Sequence, residues 1–255
     1  MKVLLPSKGL FGQRSVDLRF PTFKDLKEIQ NYSDSEIAKK IKFITQLSNV
    51  NLSKVSFYDA EYLFAITAFS LLYNNITYNI TCPKCKERFK THLQIFDLEI
   101  KQLDRRKEEQ VVDGKKYQFN VLSAQQVLDA YEQSQFEDNV EEANEDMLAT
   151  MTLGLPIQHH KSIAGTVPLR VYASTFVFQR LKFHGLSYLA KAKCNCGNEV
   201  TYKYNIGSEV LSLSIEDLMD KYYDVSSWMS LEDFWSMTLP DYNAFVQVVN
   251  RKNMQ

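Results

Sequence analysis

Residues 76–95 are ITYNITCPKCKERFKTHLQI, and residues 189–206 are LAKAKCNCGNEVTYKYNI. Each stretch alternates apolar and polar residues on both sides of a closely spaced cysteine pair. This pattern predicts two β-hairpins with cysteines at their turns. Because all four cysteines of the chain lie in these two turns, we expect the hairpins to meet at one shared site. The four residues are Cys82, Cys85, Cys194 and Cys196.

A shared site of this kind is typical of structural zinc, which takes four thiolates in a tetrahedron from two short turns. Pro83 would stiffen the first turn, and Gly197 would let the second turn reverse without a Cβ clash. Four cysteines leave no open coordination position, so the ion would stabilise the fold rather than catalyse. We therefore predict a structural Zn²⁺ in a zinc ribbon that is split by a large insertion.

Two other readings of the cysteines stay open. The four residues can be reduced thiols on two turns that hold no metal. A redox dithiol is disfavoured, because Cys82 and Cys85 lie on a predicted hairpin and not at the start of a helix after a strand. His92, on the strand after the first turn, is a candidate replacement ligand, although we favour a surface position for it.

The composition is that of an ordinary globular protein, with 255 residues, 45% hydrophobic and 24% charged. The net charge of −1 gives no reason to expect nucleic acid or an anionic membrane as the main partner. No apolar run reaches the roughly 18 residues that cross a bilayer, and the first residues do not form a signal peptide. We therefore expect a cytoplasmic protein, in which paired cysteines are more often metal ligands than disulfides.

The order of predicted elements appears twice along the chain: strand, capped helix, helix, long apolar helix, cysteine hairpin. This order predicts an α+β fold of helices and two hairpins with an internal duplication. The first half would span residues 1–101 and the second half residues 117–210. A charged connector with an Asp113-Gly114 turn would occupy 102–116, and an aromatic helical tail would occupy 211–255.

Helix starts are marked by Ser or Thr followed by acidic or amide residues in the first turn. The marked residues are Thr22, Ser123, Ser214 and Ser230. Helical spacing of apolar residues predicts further helices over 33–48, over 55–74 and around 169–183.

The tail has two interpretations. Its aromatic residues can form a small helical core, or they can form a docking surface, since Trp and Tyr dominate binding hot spots. The candidate partner-binding residues are Tyr222, Tyr223, Trp228, Phe234 and Trp235.

No pattern in the sequence indicates a catalyst. Phosphate-binding glycine loops and the GxSxG elbow are missing, and His159-His160 lack the HExxH spacing. His184 precedes Gly185 at a predicted helix end, where a protonated imidazole would favour the helix dipole. These observations favour a structural or assembly role over an enzyme.

Three stretches carry a family resemblance: LLPSKGLF at 4–11, VDLRFPTFKDLKEI at 16–29 and DAEYLFAITAFSLLYNNITYNITCPKC at 59–85. They resemble the T4-type bacteriophage baseplate family, which contains the hub subunit and the hub assembly protein of contractile-tailed phages. The resemblance covers residues 4–100, and the second cysteine pair extends it to 206.

The resemblance implies a non-enzymatic protein that helps to assemble the baseplate hub in the host cytoplasm, as an assembly factor or as a hub component. Its partners would be other hub proteins, and it implies no catalytic residues and no small-molecule substrate. The alternatives are a zinc-ribbon adaptor and a nucleic-acid-binding zinc protein. Basic residues around both turns favour the latter, and the acidic stretch 137–146 opposes it. These basic residues are Lys84, Lys86, Arg88, Lys90, Lys191, Lys193 and Lys203.

Overall fold

The computed structural model describes residues 1–30, 36–71, 76–93, 98–187, 189–204 and 215–253. Within these ranges the fold is mixed α+β, and its short strands pair as five antiparallel two-stranded sheets. The helices are α1 (Phe23–Gln30), α2 (Glu36–Leu47), α3 (Phe57–Leu71), α4 (Ala124–Ser134), α5 (Val140–Thr152), α6 (His160–Thr166), α7 (Leu169–Leu181), α8 (Ile215–Tyr223), α9 (Leu231–Ser236) and α10 (Leu239–Asn253). The strands are β1 (Lys2–Leu4), β2 (Ser15–Asp17), β3 (Ile76–Thr81), β4 (Arg88–Leu93), β5 (Ile100–Lys101), β6 (Lys107–Val112), β7 (Lys115–Asn120), β8 (Gly185–Leu186), β9 (Leu189–Lys193) and β10 (Glu199–Lys203).

The contacts divide the chain into two compact units, each built from three separate segments. The first unit comprises Met1–Asp17, Lys40–Leu63 and Ile100–Leu186, and the second comprises Leu18–Lys39, Phe64–Glu99 and Ser187–Gln255. Each unit therefore draws on both halves of the sequence, and the duplication itself stays a prediction. No helix among the described residues has both the length and the apolar character needed to cross a membrane.

In the first unit, the residues expected to form a charged connector form part of a β-hairpin instead. Strands β6 and β7 pair in register from Val112 opposite Lys115 to Lys107 opposite Asn120. Asp113 and Gly114 form the expected turn, with φ values of 50° and 77°, as a two-residue hairpin turn requires. Lys107, Glu109 and Lys116 lie on the exposed face, while Phe119 on the other face is fully buried. Glu108, opposite Phe119, forms an ion pair with Lys182 at 2.7 Å.

The core of the first unit lies between this hairpin and α7. The rings of Phe119 and Phe178 lie 5.5 Å apart, and Phe11, Leu103 and Val171 pack around them. A second cluster joins α4 and α5 through buried aliphatic side chains. Its buried members are Leu122, Val127, Ala130, Met147 and Met151.

In the first unit, backbone hydrogen bonds join the start of α3 to the start of α4. Ser123 and Gln126 form a capping box at the start of α4, and the Oγ of Ser56 accepts a bond from the backbone N–H of Asp59 in the first turn of α3. The backbone N–H of Phe57 donates to Leu122, and that of Ala124 donates to Val55. The first N–H of each helix is therefore satisfied by a carbonyl that precedes the other helix, and the third N–H by the helix's own cap.

His184 contacts this pair of helix starts. The prediction that it lies at the end of a helix was wrong. Helix α7 ends at Leu181, and His184 is fully buried beyond it. Its Nδ1 lies 2.8 Å from the carbonyl of Lys182, and its Nε2 lies 2.5 Å from the Oγ of Ser56. Burial lowers the pKa of His184, although the Lys182 carbonyl and the nearby Asp59 oppose this. The imidazole is therefore neutral at neutral pH and does not act as a cation at a helix end.

The second unit has an equivalent joint between α1 and α10. The backbone N–H of Phe23 donates to Met237, while Thr22 and Thr238 each accept a bond from the third helical N–H, at Asp25 and Asp241. Beneath the joint, the rings of Phe23 and Phe234 stack at 4.4 Å. Helices α9 and α10 thus form a core with α1. Ser214, the predicted cap of α8, lies outside the described residues.

The buried neutral imidazole makes stability depend on pH. The unfolded chain binds a proton at His184 with a pKa near 6.5, and the folded chain binds it only at lower pH. We expect the free energy of unfolding to be highest above about pH 6.5 and to decrease below it, by at most about 1.4 kcal/mol per pH unit from this group.

Urea unfolding followed between about pH 7.5 and pH 5.5 measures this slope. In His184→Gln the slope should be shallower than in the wild type, whereas His159→Gln, which removes an exposed imidazole, should keep the wild-type slope. Equal slopes in wild type and His184→Gln would contradict the assignment.

Candidate metal centre

Two β-hairpins of the second unit build the centre. Strands β3 and β4 pair from Ile76 opposite Leu93 to Thr81 opposite Arg88. Strands β9 and β10 pair from Leu189 opposite Lys203 to Lys193 opposite Glu199. The period of two in the sequence gives each hairpin one apolar face. These faces pack together through the buried residues Ile80, Ala192 and Val200, with Tyr78, Phe89 and Tyr202 at the margin.

Both turns have the backbone geometry of a tight reversal. In the first, the N–H of Lys86 donates to the carbonyl of Cys82, and Lys86 has a φ of 63°. In the second, the N–H of Gly197 donates to Cys194, and Gly197 has a φ of 83°. The positive φ favours glycine at this position, because a side chain is strained in that conformation. An added Cβ would meet no atom within 4 Å, so the expected clash with neighbouring atoms is absent. The left-handed residue of the first turn is a lysine, which the sequence pattern did not indicate.

The turns bring all four cysteine sulfurs into one cluster. Their Sγ atoms lie within 4.8 Å of one another. The distances across the hairpins are 3.8 Å from Cys82 to Cys196 and 3.6 Å from Cys85 to Cys194. Each turn contributes one buried cysteine, Cys82 or Cys194, and one exposed cysteine. The predicted shared site is therefore present as a group of four ligands that can hold a metal ion.

The electrostatics of the cluster favour a bound cation. Backbone N–H groups of Cys85 and then Lys84 lower the pKa of Cys82 to about 6, against the effect of burial. The N–H of Cys196 acts in the same direction on Cys194, but burial and hydrogen bonds with neighbouring thiols, Cys85 first, raise the pKa of Cys194 to about 12. One thiolate therefore forms readily and opposes the next, because like charges this close disfavour each other. A divalent cation removes that conflict.

The ligand set decides what such an ion can do. Four sulfurs complete a tetrahedral shell and leave no position for water or substrate. A tetrahedrally bound ion would therefore hold the two hairpins together. The side-chain amide of Asn198 lies 3.7 Å from the Sγ of Cys82 and donates to it. Such outer donors orient metal ligands. Sequence reasoning missed Asn198, for which the only signal was an amide residue next to the second turn.

The remaining candidates lie elsewhere. His92 is exposed, with its Nδ1 3.1 Å from the Oγ1 of Thr77, at the opposite end of the hairpin from the cysteines. Of the aromatic candidates in the tail, Phe234 is fully buried against Phe23, so its side chain lies in the core and not at a surface.

The other four aromatic candidates are at least partly accessible. Tyr223 and Trp228 are 66% and 48% exposed. Tyr222 and Trp235 are half-buried, and the Nζ of Lys27 lies 4.7 Å above the Trp235 ring. Binding of a partner by these four residues stays a prediction.

Comparison with known proteins gives no match to this chain among family models, curated proteins or solved structures. The residues themselves define its class, an α+β protein with a four-cysteine cluster that can hold a metal ion.

Metal binding should be thermodynamically coupled to packing of the two hairpins, because the four ligands come together only when the apolar faces pack. We expect Ile80→Ala, which leaves every sulfur in place, to lower the affinity for cadmium ion by roughly tenfold or more. Competition with a chelator, followed by the thiolate-to-cadmium absorption band, measures this affinity. Asn79→Ala, on the exposed face of the same strand, is the control and should bind as wild type. An unchanged affinity in Ile80→Ala would show that the sulfurs are held together without the apolar contact.

Proposed function

We propose that this chain is a non-enzymatic bacteriophage baseplate hub assembly protein, either an assembly factor or a hub component. The sequence resemblance of residues 4–11, 16–29 and 59–85 supports it. One observation carries the proposal: two of these stretches meet in a buried contact. The backbone N–H of Ser7 donates to the Oδ1 of Asp59 at 3.0 Å, and both residues are fully buried. Residues of the first and third resembling stretches are therefore in direct contact in the folded chain.

An assembly role requires a surface for other proteins, and α7 presents one. Its buried face carries Val171, Thr175 and Phe178. On the opposite face Leu169, Val177 and Leu181 are 81%, 57% and 73% exposed. With the exposed Ala173 between them, these residues follow an i, i+4 ridge and form one apolar stripe, and the exposed Arg170 and Arg180 lie beside it. An exposed apolar patch with a polar rim is typical of a protein-binding surface. We infer that a hub protein covers this stripe.

We also propose that the four-cysteine cluster holds Zn²⁺, which would make the two hairpins a split zinc ribbon. Tetrahedral zinc binds thiolates at about 2.3 Å, which places the sulfurs about 3.8 Å apart. The cross-hairpin distances of 3.8 and 3.6 Å agree with that spacing. Zinc would then stabilise the unit, while assembly would proceed through protein contacts in the host cytoplasm.

The hub role predicts a defined loss of binding. When the tagged protein is co-expressed with the hub proteins of the same phage, we expect a hub protein to copurify with it. Val177→Lys/Leu181→Lys should abolish that copurification, because two charges then enter the apolar interface. The readout is the identity and yield of hub proteins by mass spectrometry.

The control adds the same charge elsewhere on the first unit. Gln135→Lys/Gln158→Lys changes two exposed residues and should copurify the hub protein at wild-type yield. If wild-type protein brings down no hub protein, the proposal is overturned. If both double variants bind as wild type, the α7 stripe is not the interface.

A further inference from the structure

The two hairpins carry a positive charge that exceeds what the metal site would neutralise. Residues 76–93 and 189–203 contain seven basic and two acidic residues, a formal charge of +5 with the cysteines neutral, in a chain whose net charge is −1. Four thiolates around one Zn²⁺ would offset two of these charges and leave the hairpins positive. The two acidic residues have partners within the hairpins. Glu199 forms an ion pair with Lys191 at 2.9 Å, and Glu87 accepts a bond from the amide of Asn195 at 3.1 Å.

Four of the seven basic residues lie on the outer face and turn of the β3–β4 hairpin. Because side chains alternate along a strand, the residues next to the buried Ile80 point outward. In the register Asn79 is opposite Lys90 and Thr81 is opposite Arg88, and all four are exposed. Neither Arg88 nor Lys90 forms an ion pair with any described carboxylate. Lys84 and Lys86, both exposed, extend this basic face onto the turn.

The chemistry of the face fits phosphate better than protein. Protein interfaces are enriched in aromatic residues and depleted of Lys. Here the aromatic residues Tyr78 and Phe89 pack inward against the second hairpin, and the outward residues are basic, hydroxyl or amide. Arg and Lys with short polar donors beside them are the usual contacts to phosphate oxygens. Without an outward aromatic ring, the face has no platform on which a base can stack.

We propose that the outer face of β3 and β4 binds the phosphate backbone of nucleic acid without reading the base sequence. Arg88 and Lys90 supply charge, and Asn79 and Thr81 supply hydrogen bonds beside them. The end of the hairpin nearest the cysteines is the binding end, so a metal that fixes the turn also fixes Lys84 and Lys86.

Fluorescence anisotropy of a labelled single-stranded DNA oligonucleotide and of its duplex tests this in the full, metal-loaded chain. Wild-type protein should bind both, and the logarithm of the binding constant should fall linearly with the logarithm of salt concentration. Arg88→Gln/Lys90→Gln should weaken binding to all sequences alike and reduce the magnitude of the salt slope by about two. Lys107→Gln/Lys115→Gln removes the same charge from exposed positions on the β6–β7 hairpin and should bind as wild type.

Three results would overturn the proposal. The first is no binding at low salt. The second is an equal loss of binding in both double variants, which would mean that total charge alone matters. The third is displacement of the DNA by polyglutamate at equal charge, which would mean that the face serves an acidic protein. Circular dichroism and metal content of each variant distinguish loss of the face from loss of the fold.

Discussion

The second unit depends on the electrostatic repulsion between four cysteine sulfurs that lie within 4.8 Å of one another. Without a cation, these thiols cannot all ionise together. The contact between the two hairpins is small, with Ile80, Ala192 and Val200 as its buried aliphatic residues. Two-stranded hairpins with so little core are marginal on their own. A cation bound among the sulfurs would remove this repulsion and would join segments more than a hundred residues apart in sequence.

The first unit is held by a different constraint, the need to satisfy the backbone donors at buried helix starts. The starts of α3 and α4 exchange backbone hydrogen bonds, and Ser56 links this joint to His184. Asp59 in turn binds the backbone of Ser7. Segments from four parts of the sequence thus converge on one buried polar network, which is costly to break because its members are desolvated. In the second unit, the starts of α1 and α10 are likewise joined by backbone hydrogen bonding.

Local signals explain what the sequence could predict. Alternation around Cys82 and Cys194 located both hairpins, and Ser123 and Ser230 located helix starts, because caps and strand periodicity act over a few residues. Long-range pairing has no such signal. Nothing near His184 indicated its bond to Ser56, 128 residues away. The β6–β7 hairpin was hidden as well, since its charged outward face resembles a solvated connector.

The most direct test of the account is the metal content of freshly purified, reduced protein by elemental analysis. We expect one zinc ion per chain in the wild-type protein and none in Cys82→Ser/Cys196→Ser, which removes one ligand from each hairpin. Absence of zinc from the wild-type protein, or retention of zinc by the double variant, would contradict the claim that a metal held by four sulfurs joins the two hairpins.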